Sequence, residues 1–252
     1  MRGWGVDGCW KGWFYFGLGD GPPEYGVVST LGELMERVEP SVPVFVDIPI
    51  GLLSQGRGER SCDLEARRLL SPGRSSSVFP TPSRPAVYAG SYEESQQRNR
   101  EALGKGLSKQ SWGIVPRIRE VDELLLASPE VRGQIREVHP EVCFRGLVGA
   151  PMVHSKKTRA GINARLDALE RHIPQVRRIV GEAYLEHGGF EAQRDDILDA
   201  LVAAVCAVHA ADCVTIPASP PLDDVGIPME MVYWPAADLG PPVQPRGWRN
   251  RS

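Results

Sequence analysis

Two short apolar segments near the start of the chain each carry an aspartate where a buried strand normally has none. The segment VFV at residues 44–46 is followed by Asp47, and the segment GWGVDGC at residues 3–9 contains Asp7. An isolated buried carboxylate costs several kcal/mol or becomes protonated, so each aspartate needs a partner. The chain therefore has to fold so that both acids find compensation, and a shared site is the simplest solution.

The first 50 residues predict three strands, a helix and a fourth strand, in that order. Thr30 and Glu33 form a capping box that predicts a helix to about Val38. Tight connections predict an antiparallel meander, whereas the helix lets the fourth strand run parallel beside the first. Asp47 would then lie beside Asp7. The first three strands are expected at residues 3–9, 11–18 and 25–29. Their aromatic residues are interpreted as strand packing and not as a base-stacking platform: Trp4, Trp10, Trp13, Phe14 and Phe16.

The whole pattern predicts an α/β fold with a mixed five-stranded sheet, an antiparallel meander plus parallel strands, flanked by helices. A fifth strand is expected at residues 134–138, and an edge strand near residue 230. Helices are predicted at residues 61–70, 92–103, 163–172, 175–187 and 194–211, and helical spacing continues from Ile114 to Leu125. We expect one domain at residues 1–240, with 52–130 as an inserted helical and loop cap after the fourth strand, and a disordered tail at 241–252.

Composition and charge exclude several classes of protein. The net charge of −3 argues against a protein that coats duplex nucleic acid. The five cysteines are scattered without a CxxC pair, so neither a disulfide framework nor a zinc ribbon is predicted. No apolar run approaches the roughly 18 residues of a membrane span, and no secretion signal is recognised. We expect a cytoplasmic protein with no membrane partner; a homodimer stays open.

Basic residues are concentrated in two segments. Residues 98–119 contain six Lys or Arg against one acid, and residues 156–178 contain seven against two. Basic flanks around an acidic centre suit a bound polyanion, although a solvated helix face is the better explanation of any single charge. The glycine-rich loop 104–110 lacks the Walker spacing. The candidate substrate ligands in these segments are Lys105, Ser108, Lys109, Gln110, Lys156, Lys157 and Arg165.

Carboxylates recur at positions that a protein core normally excludes. Like charges that lie close together raise one another's pKa unless a cation separates them, and Mg²⁺ and Mn²⁺ prefer oxygen ligands. Two such ions about 4 Å apart activate water and stabilise the leaving oxygen in phosphodiester cleavage. His139, beside the fifth strand, is a candidate proton shuttle. The predicted metal ligands, which are also the predicted catalytic acids, are Asp7, Asp47, Glu137, Asp196 and Asp199.

Each of these residues also has a structural alternative. Asp7 could cap the glycine turn that follows it, and Asp47 could accept backbone N–H groups. Asp196 lies in the first turn of a helix, where the dipole favours an acid. Glu137 could pair with a nearby arginine, and His139 could be structural.

Several strings in the chain resemble known families. The order of strands and acids resembles the ribonuclease H-like superfamily, and DILDAL at residues 196–201 is similar to the D-x-x-D-A-L helix of Holliday-junction resolvases. A closer resemblance is to the domain of unknown function 429 family, usually described as predicted ribonuclease H-like nucleases. The strings that carry it are GVDGCWKGW, VDIPIGL, RSCDLEARRLL, SSVFPTPSR, GLSKQSWGI, EVHPEVCF, KKTRAGINAR and DDILDAL.

The resemblance implies a metal-dependent nuclease that hydrolyses RNA or DNA with Mg²⁺ or Mn²⁺. It assigns Asp7, Asp47, Asp196 and Asp199 as metal ligands, with Glu137 as a candidate fifth. No glutamate of the predicted first helix clearly matches that of ribonuclease H, so specificity for RNA–DNA hybrids is not implied. Two alternatives stay open: an ATPase or phosphotransferase of the actin and sugar-kinase type, whose first phosphate loop GVDGC also resembles, and a non-catalytic nucleic-acid-binding protein.

Overall fold

The computed structural model describes residues 1–56 and 58–239. The main sheet contains Gly3–Cys9 (β1), Gly12–Leu18 (β2), Glu24–Val28 (β3), Val44–Val46 (β4) and Ile135–Glu137 (β5). A separate two-stranded sheet contains Val214–Ile216 (β6) and Met231–Tyr233 (β7). The helices are Leu31–Met35 (α1), Ser61–Leu69 (α2), Arg84–Val87 (α3), Tyr92–Leu103 (α4), Lys109–Ala127 (α5), Pro140–Val148 (α6), Arg159–Glu170 (α7), Val176–His187 (α8) and Arg194–Val208 (α9). Short 3₁₀ turns occur at Ser75–Ser77, Pro129–Val131, Ala210–Asp212 and Ala236–Leu239. Within the described ranges, none of these helices is long and apolar enough to cross a bilayer.

The main sheet has the strand order β3-β2-β1-β4-β5. Strands β1, β2 and β3 form an antiparallel meander, and β4 runs parallel to both β1 and β5. The predicted mixed five-stranded sheet flanked by helices is therefore confirmed. Val6 pairs with Val46, and the Asp47 N–H donates to the Val6 carbonyl oxygen at 2.9 Å. This register places Asp7 and Asp47 side by side near the C-terminal ends of the parallel strands β1 and β4.

Helix α9 packs on β1 at unusually short range. A Cβ atom on Gly5 would lie 2.0 Å from the backbone nitrogen of Ala204, and one on Gly3 would lie 2.5 Å from the carbonyl carbon of Ala207. The two glycines and the alanines facing them let the helix and strand backbones approach each other. The N-terminal part of α9, which carries Asp199, is thereby held beside the end of β1.

The alternation of side chains along the strands separates two apolar clusters, one on each face of the sheet. Val6 and Val46 belong to the cluster that packs against α1 and α5, whereas Phe45 belongs to the cluster beneath α9. Asp7 and Asp47 each follow a residue of the first cluster. Both carboxylates therefore point toward the face covered by α9.

The structure extends the helical prediction and corrects it in places. Helix α1 ends at Met35 and not at Val38, because Glu36 already caps it. Helix α6 was not predicted, although Pro140 at its first position is a recognised start signal. Helix α5 begins at Lys109, because the Ser108 hydroxyl caps it by accepting the Ser111 N–H, so the predicted basic loop is two residues shorter.

The predicted edge strand near residue 230 exists as β7 but does not join the main sheet. It pairs antiparallel with β6, a strand that was not predicted. Residues 52–130 lie between β4 and β5 and contain α2, α3, α4 and α5. The predicted tail at residues 241–252 lies outside the described residues, as does the expected domain boundary at residue 240.

Candidate metal centre

Three carboxylates from distant parts of the chain converge at the ends of β1 and β4 and at the second turn of α9. Single oxygens of Asp7, Asp47 and Asp199 all lie within 4.8 Å of one another. Asp199 is 2% exposed and Asp7 is 8% exposed, and Asp47 is half-buried. The fold thus gathers three acids that the sequence analysis had predicted to be neighbours.

The three acids destabilise one another's charged forms. The pKa of Asp7 is raised well above its ordinary value by burial first, and then by the charges of Asp47 and Asp199. Burial also raises the pKa of Asp47, with Asp199 as the next contribution. In the absence of further positive charge, this cluster favours protonation over ionisation.

Lys156 is the cation nearest to the cluster. Its Nζ donates a short hydrogen bond to Asp199 Oδ2 and lies 3.5 Å from Asp195 Oδ2. The surrounding acids raise the Lys156 pKa above its ordinary value, although burial opposes that shift. One ammonium group faces three clustered carboxylates, so the compensation is incomplete.

The donor set fits a hard divalent cation. Three carboxylate oxygens are the ligand type that Mg²⁺ and Mn²⁺ prefer. Two oxygens on opposite sides of Mg²⁺ lie about 4.2 Å apart, twice the metal–oxygen distance of about 2.1 Å. The ligand oxygens of Asp7, Asp47 and Asp199 are at most 4.8 Å apart, which is close to that distance. A small rotation of one carboxylate would therefore bring all three oxygens within reach of one ion. Asp7, Asp47 and Asp199 would hold such an ion.

Glu137 lines the same cavity but lies outside the triad of Asp7, Asp47 and Asp199. It pairs with Val46 in the sheet and shares the face of Ile135, opposite to the face of Asp47. Arg60 donates to both of its carboxylate oxygens, at 2.7 and 2.9 Å, and the Ile50 N–H donates to Oε2 at 2.7 Å. Pairing with an arginine, the alternative noted from the sequence, is what the structure contains.

Asp196 lies next to the triad but is engaged elsewhere. Its Oδ2 accepts the Gln193 N–H at 2.8 Å, and the two residues complete a capping box at the start of α9. Burial and the neighbouring charge of Asp195 raise the Asp196 pKa to about 6. Its side chain borders a shallow depression on the far side of Gly8. The structure therefore assigns Asp196 a capping contact, with the triad as neighbour.

His139 lines the same cavity as the triad. Its Nε2 lies 3.3 Å from the Ser77 carbonyl oxygen, and its Nδ1 is buried with no hydrogen-bond partner among the described residues. Burial lowers the His139 pKa, so the ring is neutral at pH 7. With the proton on Nε2, the Nδ1 atom is an unused acceptor.

The predicted phosphate ligands separate into two groups. Lys156, Lys157 and Gln110 line the cavity, and Lys157 forms no ion pair with any described residue. Lys105 pairs with Glu59 at 2.6 Å, outside that lining. The remaining three have structural positions: Ser108 caps α5, Lys109 is its first residue, and Arg165 is fully buried.

The position of Arg165 differs from the predicted substrate contact for a clear reason. Its guanidinium donates to Glu141 in a buried ion pair and also to the carbonyl oxygens of His154 and Gly161, at 3.2 and 3.0 Å. The side chain joins α7 to α6 and has no exposed surface. A substrate cannot reach it in this fold.

The triad lies at one side of a cavity of about 540 Å³. The opposite wall comes from the 52–130 insertion, mainly the 3₁₀ turn and the proline-rich loop that follows it. Several lining residues were not recognised as site residues from the sequence, because only the folded insertion brings them near the triad. They are Arg74, Thr81 and Arg117.

Comparison with known proteins gives one match. The family model described as "Protein of unknown function (DUF429)" matches residues 5–222, a span that includes the triad and the insertion. No curated protein and no solved structure matches the chain. Since the match covers most of the sequence and every element of the candidate site, the chain belongs to the DUF429 family of proteins of unknown function.

Proposed function

We propose that the protein is a metal-dependent nuclease that hydrolyses phosphodiester bonds of nucleic acid with Mg²⁺ or Mn²⁺. The observation that carries the proposal is the convergence of Asp7, Asp47 and Asp199 within 4.8 Å at the edge of a cavity of about 540 Å³. Carboxylates that are buried next to one another without a compensating cation destabilise the fold. A cation between them removes that cost.

The strand order supports the same proposal. A meander followed by two parallel strands, with acids on the first and fourth strands and on a late helix, is the arrangement that the sequence resemblance implied for a ribonuclease H-like nuclease. Fold alone does not establish an activity, so the site itself has to carry the argument.

The residues of the cavity suit hydrolysis of a phosphodiester. A bound divalent cation supplies an activated water and stabilises the leaving oxygen. Lys157, which forms no ion pair with any described residue, is available to hold a phosphate oxygen. Lys156 orients Asp199, and the neutral His139 can accept a proton at Nδ1.

The test is a panel of RNA and DNA substrates with Mg²⁺, Mn²⁺ or EDTA, comparing wild type with Asp7→Asn. We expect metal-dependent cleavage in wild type and at least a hundredfold loss in the variant, because one ligand oxygen becomes a neutral amide. Asp224→Asn, at an exposed turn, is the matched control and should keep full activity. Equal rates in wild type and Asp7→Asn would contradict the proposal.

One observation favours a second candidate, a non-catalytic nucleic-acid-binding protein. The Lys156–Asp199 ion pair gives one triad carboxylate a partner without any metal. If that pair is the purpose of the cluster, nucleic-acid binding should survive both EDTA and Asp47→Asn. The kinase-like alternative has a separate test: ATP should raise the melting temperature of the protein.

A further inference from the structure

Trp10 has a position that neither the fold nor the proposed chemistry requires. Its side chain is 74% exposed, whereas Trp4 and Trp13 on the flanking strands are 3% and 0% exposed. The interpretation of Trp10 as strand packing is therefore wrong. Trp10 occupies the turn between β1 and β2, three residues after Asp7. An exposed indole that borders a depression next to a candidate active site is a candidate contact for a ligand.

The indole borders a shallow depression of about 420 Å³ that adjoins the metal-centre cavity. Gly8 and Arg117 line both spaces, so a ligand can extend from one into the other. A Cβ atom on Gly8 would lie 2.7 Å from Arg117 Nε, which means that the guanidinium lies directly against the Gly8 backbone.

The hairpin turn that carries Trp10 is held in place from both sides. The Trp10 N–H donates to the Glu191 carbonyl oxygen at 3.0 Å, which ties the turn to the segment before α9. Arg117 donates to the carbonyl oxygens of Cys9 and Gly12 and stacks at 5.8 Å over Trp13. The indole is therefore presented on a fixed backbone, which lowers the entropy cost of binding.

Arg117 supplies the charge that a nucleotide needs. It forms no ion pair with a described carboxylate, although its guanidinium is anchored by the two carbonyl oxygens of the turn. An aromatic face beside an unpaired cation is the combination that holds a base and its phosphate in single-stranded nucleic-acid sites.

We propose that Trp10 and Arg117 form a nucleobase subsite adjacent to the metal centre, so that the substrate carries an unpaired nucleotide next to the cleaved phosphate. This inference rests on the proposed nuclease function. A base within a duplex is already stacked on its neighbours and cannot lie on the indole. The substrate class is therefore single-stranded nucleic acid or an unpaired end.

The test measures binding without cleavage. Fluorescein-labelled single-stranded ten-nucleotide DNA and RNA, and the same strands annealed as blunt duplexes, are titrated in the Asp47→Asn background by anisotropy. We expect Trp10→Ala to raise the single-strand Kd about 5- to 150-fold, the range measured for base–aromatic stacking. Trp10→Phe should stay within about threefold, and duplex binding should not depend on residue 10.

Phe190→Ala is the matched control, because Phe190 is 90% exposed near the same turn but does not line the depression. An unchanged Kd in Trp10→Ala would overturn the proposal. So would an equal loss in Phe190→Ala, which would indicate that the strand contacts this apolar surface without a specific base site at Trp10. Absence of metal-dependent cleavage by wild type in the substrate panel is a separate result, and it would refute the nuclease proposal. The titration of Trp10→Ala would still decide whether the nucleobase subsite exists.

Discussion

At the scale of single residues, the triad is a compromise between stability and metal binding. Asp7 and Asp199 are buried and Asp47 is half-buried, all three lie among like charges, and burial is the first cause of each raised pKa. Lys156 compensates only part of that charge. Sites that destabilise the fold in this way are typical of functional positions.

The first prediction follows from that compromise and concerns Asp47→Asn. In EDTA at pH 7 the variant should be more stable than wild type by about 1–2 kcal/mol, because the amide removes one charge from the cluster. For a chain of this size that corresponds to a melting temperature about 2–6 °C higher. Saturating Mn²⁺ should raise the melting temperature of wild type and leave that of Asp47→Asn unchanged. Stabilisation of both proteins by Mn²⁺ would place the ion elsewhere.

The second prediction concerns how the difference in unfolding free energy between Asp47→Asn and wild type depends on pH. A raised pKa means that folded Asp47 keeps a proton that the unfolded chain loses above about pH 4. Its contribution to stability is therefore complete below that pH and is lost as the pH rises. His139, His172 and His209, whose pKa values are lowered chiefly by burial, act in the opposite direction.

The three histidines are present in both proteins, so the difference in unfolding free energy between Asp47→Asn and wild type reports on the Asp47 carboxylate alone. It should be near zero at pH 4 and increase toward pH 7 in EDTA, as measured by urea unfolding at several pH values. Mn²⁺ should reverse the order of the two proteins at pH 7, because the ion binds the deprotonated carboxylates. A difference that is constant across this range would show that Asp47 is not strained in the metal-free protein.

At the scale of elements, the contact between β1 and α9 positions the third ligand. Gly5→Ala would bring a Cβ atom within 2.0 Å of the Ala204 backbone nitrogen, so α9 would have to move away from the strand. We predict a loss of about 3 kcal/mol or more in unfolding free energy, together with weaker Mn²⁺ binding because Asp199 moves with the helix.

Gly113→Ala is the control for this substitution. Gly113 lies inside α5, and a Cβ atom there would meet nothing within 4 Å, so this change should stabilise by up to about 1 kcal/mol. Both variants are compared by urea unfolding and by calorimetric titration with Mn²⁺. Retention of wild-type Mn²⁺ affinity in folded Gly5→Ala would separate the position of α9 from the metal site.

The same elements show how far the sequence determines the fold. Periodicity and turn residues predict β1 to β4 and α4, because local pattern and tertiary environment agree there. Helix α6 follows the fifth strand directly, so the strand pattern hides its start, although proline at a first helical position is a usable signal. The separate sheet of β6 and β7 depends on contacts between distant segments, which no local pattern encodes.

The candidate site follows the same rule. Parallel pairing of β1 with β4 predicts that Asp7 and Asp47 are neighbours. The spacing of acids in the last long helix predicts Asp199 as a site residue. Period-two alternation in β5 would have placed Glu137 on the other face, had the register been known. The sequence offers an ion pair between Glu137 and an arginine but does not identify Arg60, which lies 77 residues away in sequence.

At the scale of the whole molecule, the buried Arg60 and the part-buried Arg84 tie the 52–130 insertion to the rest of the fold. Arg60 contacts Glu137 on β5, and it also binds Asp63 on α2. Arg84 joins Asp122 of α5 to Asp223 near the C-terminal sheet. The cavity wall formed by the insertion is therefore attached to the sheet by charged contacts of low exposure, where loss of one partner is expensive.

The last prediction separates this structural network from the metal centre. Arg60→Met leaves two buried carboxylates without their cation and should cost about 3–5 kcal/mol of unfolding free energy. Glu137→Gln keeps the shape and some hydrogen bonds and should cost less, about 1–3 kcal/mol. The exposed pair Arg178–Glu182 is the matched control, and Arg178→Met should change stability by less than about 0.5 kcal/mol.

Mn²⁺ affinity distinguishes the two roles of Glu137 even if Arg60→Met fails to fold. As a structural residue held by Arg60 and the Ile50 N–H, Glu137 can be replaced by glutamine with a change in Mn²⁺ Kd of no more than about threefold. Asp47→Asn should raise the same Kd at least a hundredfold, because Asp47 is one of three direct ligands. If Glu137→Gln weakens Mn²⁺ binding as strongly as Asp47→Asn, the carboxylate must leave Arg60 and turn toward the ion, and Glu137 is then a fourth ligand after all.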